Sequence, residues 1–308
     1  MQQRTPAILL VLSALTSACD DARKDNSSDA TSAADTTGTG DTADSIGDEP
    51  QLESVAGSVQ LTEQRTAESG VDGYPRVSLK FNAEPSPFLR EVDRRGECRL
   101  LTFANSFCDP ACVDGLCLDG SCVPYPAGLD VGAVTITGRE TSVFEPLADS
   151  GNFYASDHYP DDLFVTGSAV TVEASGGELA PFTLATIGPA PLETPLLDQQ
   201  GDLTVAPDED YRVTWTPAEA TSRVRLTLHP HGPHGFVEAA VIECDSADDG
   251  LITVDGALFA PFLTGWGGCG ECPASTLVRY HRDAMTVAGK RIELVVGSQV
   301  DLYLEREP

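Results

Sequence analysis

Three of the five histidines fall within six residues, His229-Pro230-His231-Gly232-Pro233-His234. Imidazoles two apart share one side of an extended segment, and a third just beyond them can close a face around zinc or copper. The interleaved Gly and Pro also describe a plain turn carrying polar residues. That simpler reading takes precedence, because no acid stands at a spacing that would complete a catalytic zinc site. Cys269-Gly270-Glu271-Cys272 has the spacing of a redox dithiol but lacks the strand before and helix after that such a motif needs. Asp109, Asp114 and Asp119 invite calcium, yet they miss the Asp-x-Asp-x-Asp-Gly pattern that aims alternate side chains at one ion. No cofactor is expected, with a transition metal on His229, His231 and His234, or calcium, as the secondary candidates.

Other stretches weigh toward structure. Trp266, in Gly265-Trp266-Gly267-Gly268, offers a stacking surface for sugar, but a buried tryptophan beside a disulfide accounts for it equally simply. Asp245 to Gly250 reads as a solvated acidic turn. The chain carries no G-x-S-x-G elbow, H-E-x-x-H helix or phosphate-cradling glycine loop. A glycosidase carboxylate pair has no sequence spacing of its own, and 48 acidic residues give no basis for choosing one.

Apart from Cys19, eight cysteines remain: Cys98, Cys108, Cys112, Cys117, Cys122, Cys244, Cys269 and Cys272. In an exported chain an even set reads as disulfides, with 105 connectivities open to it. Cys108 to Cys122 (CDPACVDGLCLDGSC) packs four of them between Asp, Gly and Pro, which predicts a cystine-stapled loop in place of a local core.

The elements that must carry these residues are strands. Ser58–Thr62, Arg76–Phe81, Ala133–Thr137, Ala169–Glu173, Tyr211–Trp215, Arg223–Leu228 and Ile292–Val296 alternate apolar with polar, as a sheet with one wet face requires. The histidine run then falls at the tip of a hairpin between Arg223–Leu228 and Phe236–Glu243, and Gly297-Ser298 suggests a second tight turn. The expected fold is all-β: one or two packed antiparallel β-sandwiches with a cystine-stapled loop at 98–122. Ile187 to Pro195 reads as a proline-rich connector dividing a sandwich at 53–195 from an immunoglobulin- or fibronectin-III-like one at 196–308, with Trp215 in its core. Five cysteines precede that division and three follow it, so full pairing requires a bond across it.

At the start of the chain Arg4, the apolar run Pro6–Leu15 and the small Thr16-Ser17-Ala18 read as an export signal over 1–18, too short to span a bilayer. Cys19 follows directly, so the segment resembles the lipobox of bacterial lipoproteins, although Thr16 stands where leucine is usual. The resemblance implies acylation of Cys19, and several acyl chains make anchoring durable. Residues 19–52 are Asp, Ser, Thr, Ala and Gly with hardly an aliphatic residue, the composition of a disordered acidic tether with a reach of about 30 Å. The net charge of −29 excludes a phosphate-binding surface, so nucleic acid is not an expected partner.

The lipobox, the acidic arm, the cystine knot and the runs AVTITG, GSAVTVEASGG, DLTVAPDEDYRVTWTP and VIECDSADDGLITVDG together resemble the β-rich lipoproteins of myxobacterial-type genomes. That resemblance implies an envelope location and no particular chemistry. The expectation is a lipid-anchored extracytoplasmic protein, at the outer membrane in preference to the inner, binding or scaffolding an envelope protein or glycan without catalysis. The alternative is a metal-binding protein or small metal-dependent hydrolase built on His229, His231 and His234.

Overall fold

Along Arg223–Leu228, Val224, Leu226 and Leu228 are fully buried while Arg223, Arg225 and Thr227 are only partly so. That is the signature of a strand with a core on one face. The computed structural model describes residues 55–64, 75–85, 89–103, 108–113, 115–118, 120–139, 142–144, 146–148, 152–155, 162–196, 202–230, 240–264 and 275–306. The export signal, Cys19 and the acidic arm lie outside them, as do Asp114, Asp119, His231, His234, Trp266, Cys269 and Cys272.

In chain order the strands are β1 (Gly57–Gln64), β2 (Pro75–Phe81), β3 (Leu89–Arg95), β4 (Cys98–Phe103), β5 (Gly115–Leu118), β6 (Ser121–Pro124), β7 (Val134–Arg139), β8 (Ser142–Phe144), β9 (Leu147–Ala148) and β10 (Tyr154–Ala155). They continue as β11 (Ala169–Ala174), β12 (Phe182–Ile187), β13 (Asp202–Val205), β14 (Tyr211–Thr214), β15 (Arg223–Leu228), β16 (Ala240–Ala247), β17 (Leu251–Val254), β18 (Ser275–Val287) and β19 (Lys290–Arg306). Among the described residues helical structure is short, notably a 3-10 turn at Gly256–Leu258 running into Phe259–Phe262. The chain is all-β.

Eleven strands form one sheet in the order β3-β4-β16-β15-β18-β19-β1-β2-β10-β9, with β13 also paired to β19. Its spine is the long β18–β19 hairpin, whose register runs unbroken from Ser275↔Leu302 to Val287↔Lys290. Two cores sit on the same face of that hairpin, one toward each end. Ile292, Leu294 and Val296 join Val59, Leu61, Leu79 and Phe81 beneath the four-stranded sheet β12-β11-β7-β8. Val300, Leu302 and Leu304 join Leu226, Leu228, Ile242 and Leu277, covered by the β14–β17 pair and the Phe259–Phe262 turn. Val213 and Trp215 are buried in this second core with Tyr211 packed on it, the shared face expected for these residues.

Three expectations are corrected. First, pairing is not antiparallel throughout: β1 and β13 both run parallel to β19. Second, Gly297-Ser298 is no turn but lies inside β19, and the hairpin turns at Ala288-Gly289, both with positive φ (49° and 78°). Gly297 is explained by closeness instead, since a Cβ there would come within 2.6 Å of Val278 Cγ1. Third, residue 195 does not divide the sheet. β1 to β4 from before it are hydrogen-bonded into the same sheet as β15 to β19 from after it, and Cys98 and Leu100 enter the core of the later half. The connector itself is pinned: Leu192 N–H donates to Ser298 Oγ (3.0 Å), Ala190 N–H to Glu219 Oε1 (3.2 Å), and Thr194 Oγ1 to the Thr214 carbonyl (2.7 Å).

Candidate functional site

Because the β18–β19 register never breaks, even residues of β18 and odd residues of β19 point away from both cores along the whole hairpin. Neighbouring strands extend these rows. Arg223, Tyr280, Gly297, Thr62 and Arg76 lie in one row across β15, β18, β19, β1 and β2. Asp245, Arg225, Val278 and Gln299 lie in the next, and Glu243, Thr227, Thr276 and Asp301 in the one beyond. The polar half of each alternating strand thus converges on one open face.

A half-open cleft of about 570 Å³ occupies this face. Its lining draws on six strands and includes Gln60, Thr62, Ser78, Thr227, Thr276 and Gln299, with Val278 and Val295 among the apolar contributions. Gly297 keeps the floor low. Without a side chain at that point, Val278 and Thr62 close over the backbone from either side, 2.6 and 3.3 Å from where a Cβ would stand.

The charges are matched locally. Asp245, wholly buried, accepts from Arg223 Nε (2.6 Å), from Arg225 Nε and Nη2 (3.0 and 2.9 Å) and from the Tyr280 hydroxyl. The Arg225 guanidinium also lies over the Tyr280 ring, 4.9 Å from its centroid. Burial pushes the Tyr280 phenol well above its ordinary range, so at neutral pH it is a hydroxyl and no base. Burial works against the Arg225 charge, but Tyr280, Glu243 and Asp245 outweigh it and hold the guanidinium protonated. Arg76, at the cleft's edge, donates to Asp301 (2.7 Å), which also accepts from Gln299 Nε2 (2.7 Å). Glu243 pairs with Arg99 at 3.1 Å and is the one carboxylate among the described lining residues.

No protein-family model matches this chain, and no curated protein matches it.

On the opposite face, between the two cores, sits a buried polar seam. Asp248 accepts from Arg279 Nε (2.9 Å), Trp215 Nε1 (2.6 Å), Ser222 Oγ (2.8 Å) and the Ala218 and Glu219 amides. Arg279, 1% exposed, donates onward to the Pro191 and Thr216 carbonyls. Burial opposes the Asp248 charge, but the Arg279 guanidinium and these hydrogen bonds prevail and hold the carboxyl below its usual range. The acidic turn read as solvated is thus, at Asp245 and Asp248, two buried anions with cationic partners.

His229 is half-buried at the end of β15, lines the cleft, and donates its amide to Ser275 Oγ (2.9 Å). β15 pairs antiparallel with β16 at Ala240–Ala247, where Phe236–Glu243 was expected, and His231 and His234 lie outside the described residues. Six of the eight cysteines are placed. Cys98–Cys244 crosses residue 195 between directly opposed positions of β4 and β16. Cys108–Cys117 and Cys112–Cys122 staple the β5–β6 hairpin. Sulfurs of Cys108, Cys112 and Cys122 lie within 4.8 Å of one another, but as half-cystines they are not thiolate ligands. Sequence reasoning missed the cleft. Its signal was the polar half of each strand, Arg223-x-Arg225-x-Thr227 for example, which alternation alone marks only as facing water.

Proposed function

We propose that this chain is a lipid-anchored, non-catalytic binding module of the cell envelope, with the open face of the large sheet as its working surface. The observation that carries the binding part is the cleft: a concavity of ligand size whose polar lining is fixed by neighbouring ion pairs. The lining supports binding over catalysis. Among its described residues one carboxylate is present, already paired with Arg99, and the Tyr280 phenol is held protonated, so the lining offers neither a carboxylate pair nor a phenolate base. The anchor rests on Cys19 after its apolar leader. Outer-membrane attachment is part of this reading, as is an envelope partner at the cleft.

Two measurements test it. Intact mass of protein extracted from native membranes is expected to equal a chain beginning at Cys19 plus acyl chains; an unacylated mass removes the anchor. Retention of the purified chain on isolated cell envelopes is expected to fall at least fivefold with Gln60→Trp, which fills the cleft from an exposed position; unchanged retention removes the working surface.

One observation favours a second reading, a metal held by His229 together with His231 and His234: His229 stands in the cleft wall. Elemental analysis of protein purified without a nickel column then shows about one transition metal per chain. Its absence ends that reading.

A further inference from the structure

We infer that the cleft takes a neutral oligosaccharide, held across the strands by side chains alone. The inference rests on the reading of the open face as the binding surface and adds the chemical class of the ligand.

Backbone recognition is excluded by topology. β15, β18, β19 and β1, which carry the cleft floor, are interior strands with partners on both sides, so no extended peptide can add to them. Specificity must come from side chains. Those are mostly groups that both donate and accept: the hydroxyls of Thr62, Thr227 and Thr276 and the amides of Gln60 and Gln299. Sugar hydroxyls also do both, and rows of such groups on adjacent strands meet successive hydroxyls along an oligosaccharide.

Charge argues against the ionic alternatives. An anion would need cations with charge to spare, but Arg76 is matched by Asp301, and Arg225, which shares Asp245 with Arg223, also feels the Glu243 carboxylate. A cation would need an unmatched carboxylate, and Glu243 is matched by Arg99. What remains is a neutral, hydrogen-bonding surface whose dipoles are held in place, as where Asp301 fixes the Gln299 amide. Within the polar rows Val278, with the buried Val295 beside it, supplies a small apolar patch suited to the C–H face of a pyranose ring. A volume of about 570 Å³ is within the range of small-molecule sites and suits a ligand of about two or three sugar units.

The test is isothermal titration of the full chain with maltotriose, cellotriose and chitotriose, with trigalacturonate as the charged control. At least one neutral trimer is expected to bind with a Kd of about 1 mM or tighter, and more tightly than trigalacturonate. Gln60→Ala should weaken that binding about five- to tenfold, the loss of one hydrogen bond, and Gln60→Trp should abolish it. Gln60 is exposed, so both variants keep the wild-type melting temperature, which is measured alongside. Failure of all three neutral trimers, tighter binding of trigalacturonate, or undiminished binding by Gln60→Trp each overturns the inference. If the trimers fail while Gln60→Trp still cuts retention on envelopes, the ligand class is wrong and the surface stands. If retention is also unchanged, the surface reading falls with it.

Discussion

Asp248 ties more of the molecule together than any other single side chain described. It neutralises Arg279 in a site from which water is excluded, and through Arg279 it reaches the Pro191 and Thr216 carbonyls. Removing one member of a buried pair strands the other charge, at a cost of about 3 to 5 kcal/mol. Asp248→Asn is therefore expected to destabilise the protein by that amount in chemical denaturation, far more than removal of an exposed partner such as Glu91 from its pair with Arg94. The pH dependence follows from the direction of the shift. A carboxyl held below its unfolded value contributes stability that is present above about pH 4 and lost as the pH falls through the folded pKa. The stability gap between wild type and Asp248→Asn should therefore be widest near neutrality and narrow in acid; a gap independent of pH would refute the charge argument.

At the scale of the element, the β18–β19 hairpin is what both cores and the cleft share. Gly297 lies at its middle, where β19 passes from one core to the other and Ser298 meets the connector. A methyl at Gly297 must displace Val278, so Gly297→Ala is expected to cost about 1 to 3 kcal/mol of stability, with Gly297→Val costing more. Thermal melts of the two variants check the order. The second constraint is Cys98–Cys244, which closes a loop of 146 residues. Its loss lets the unfolded chain expand, so Cys98→Ala/Cys244→Ala should lower stability by about 2 to 5 kcal/mol. Losing either short-range staple of the β5–β6 hairpin should cost less, since those bonds span 9 and 10 residues and join neither core. Denaturation curves of the three double variants rank them.

For the whole molecule, one sheet under two cores makes a specific statement about cooperativity. Two sandwiches joined by a free connector would melt as two units, whereas here strands from both halves share hydrogen bonds, a disulfide and the Arg99–Glu243 and Arg76–Asp301 ion pairs. Calorimetry is expected to show one transition whose van't Hoff and calorimetric enthalpies agree. Two resolved transitions would show that the cores unfold separately. The charge of −29 also acts at this scale, as mutual repulsion, while at the cleft individual pairs decide the field.

Strands and their buried faces were legible from residue order, because a two-residue period is written locally. Ser58–Thr62, Arg76–Phe81, Ala169–Glu173 and Arg223–Leu228 all fall within strands of the expected alternation. Odd cysteine counts on either side of residue 195 likewise demanded a crossing bond for full pairing, by arithmetic alone. Partners were not legible. That β1 runs parallel to β19 across more than two hundred residues, or that Asp245 meets Arg223, Arg225 and Tyr280, depends on pairings between distant strands that no local pattern encodes. Gly297 shows the limit most clearly: glycine in sequence reads as a turn, and only the packing of Val278 and Thr62 over it reveals a strand held close. The sequence alone determined which side chains of an alternating strand lie opposite its apolar face; the tertiary structure alone decided that those of six strands would face one another, because sheet order is set by long-range hydrogen bonding and core packing.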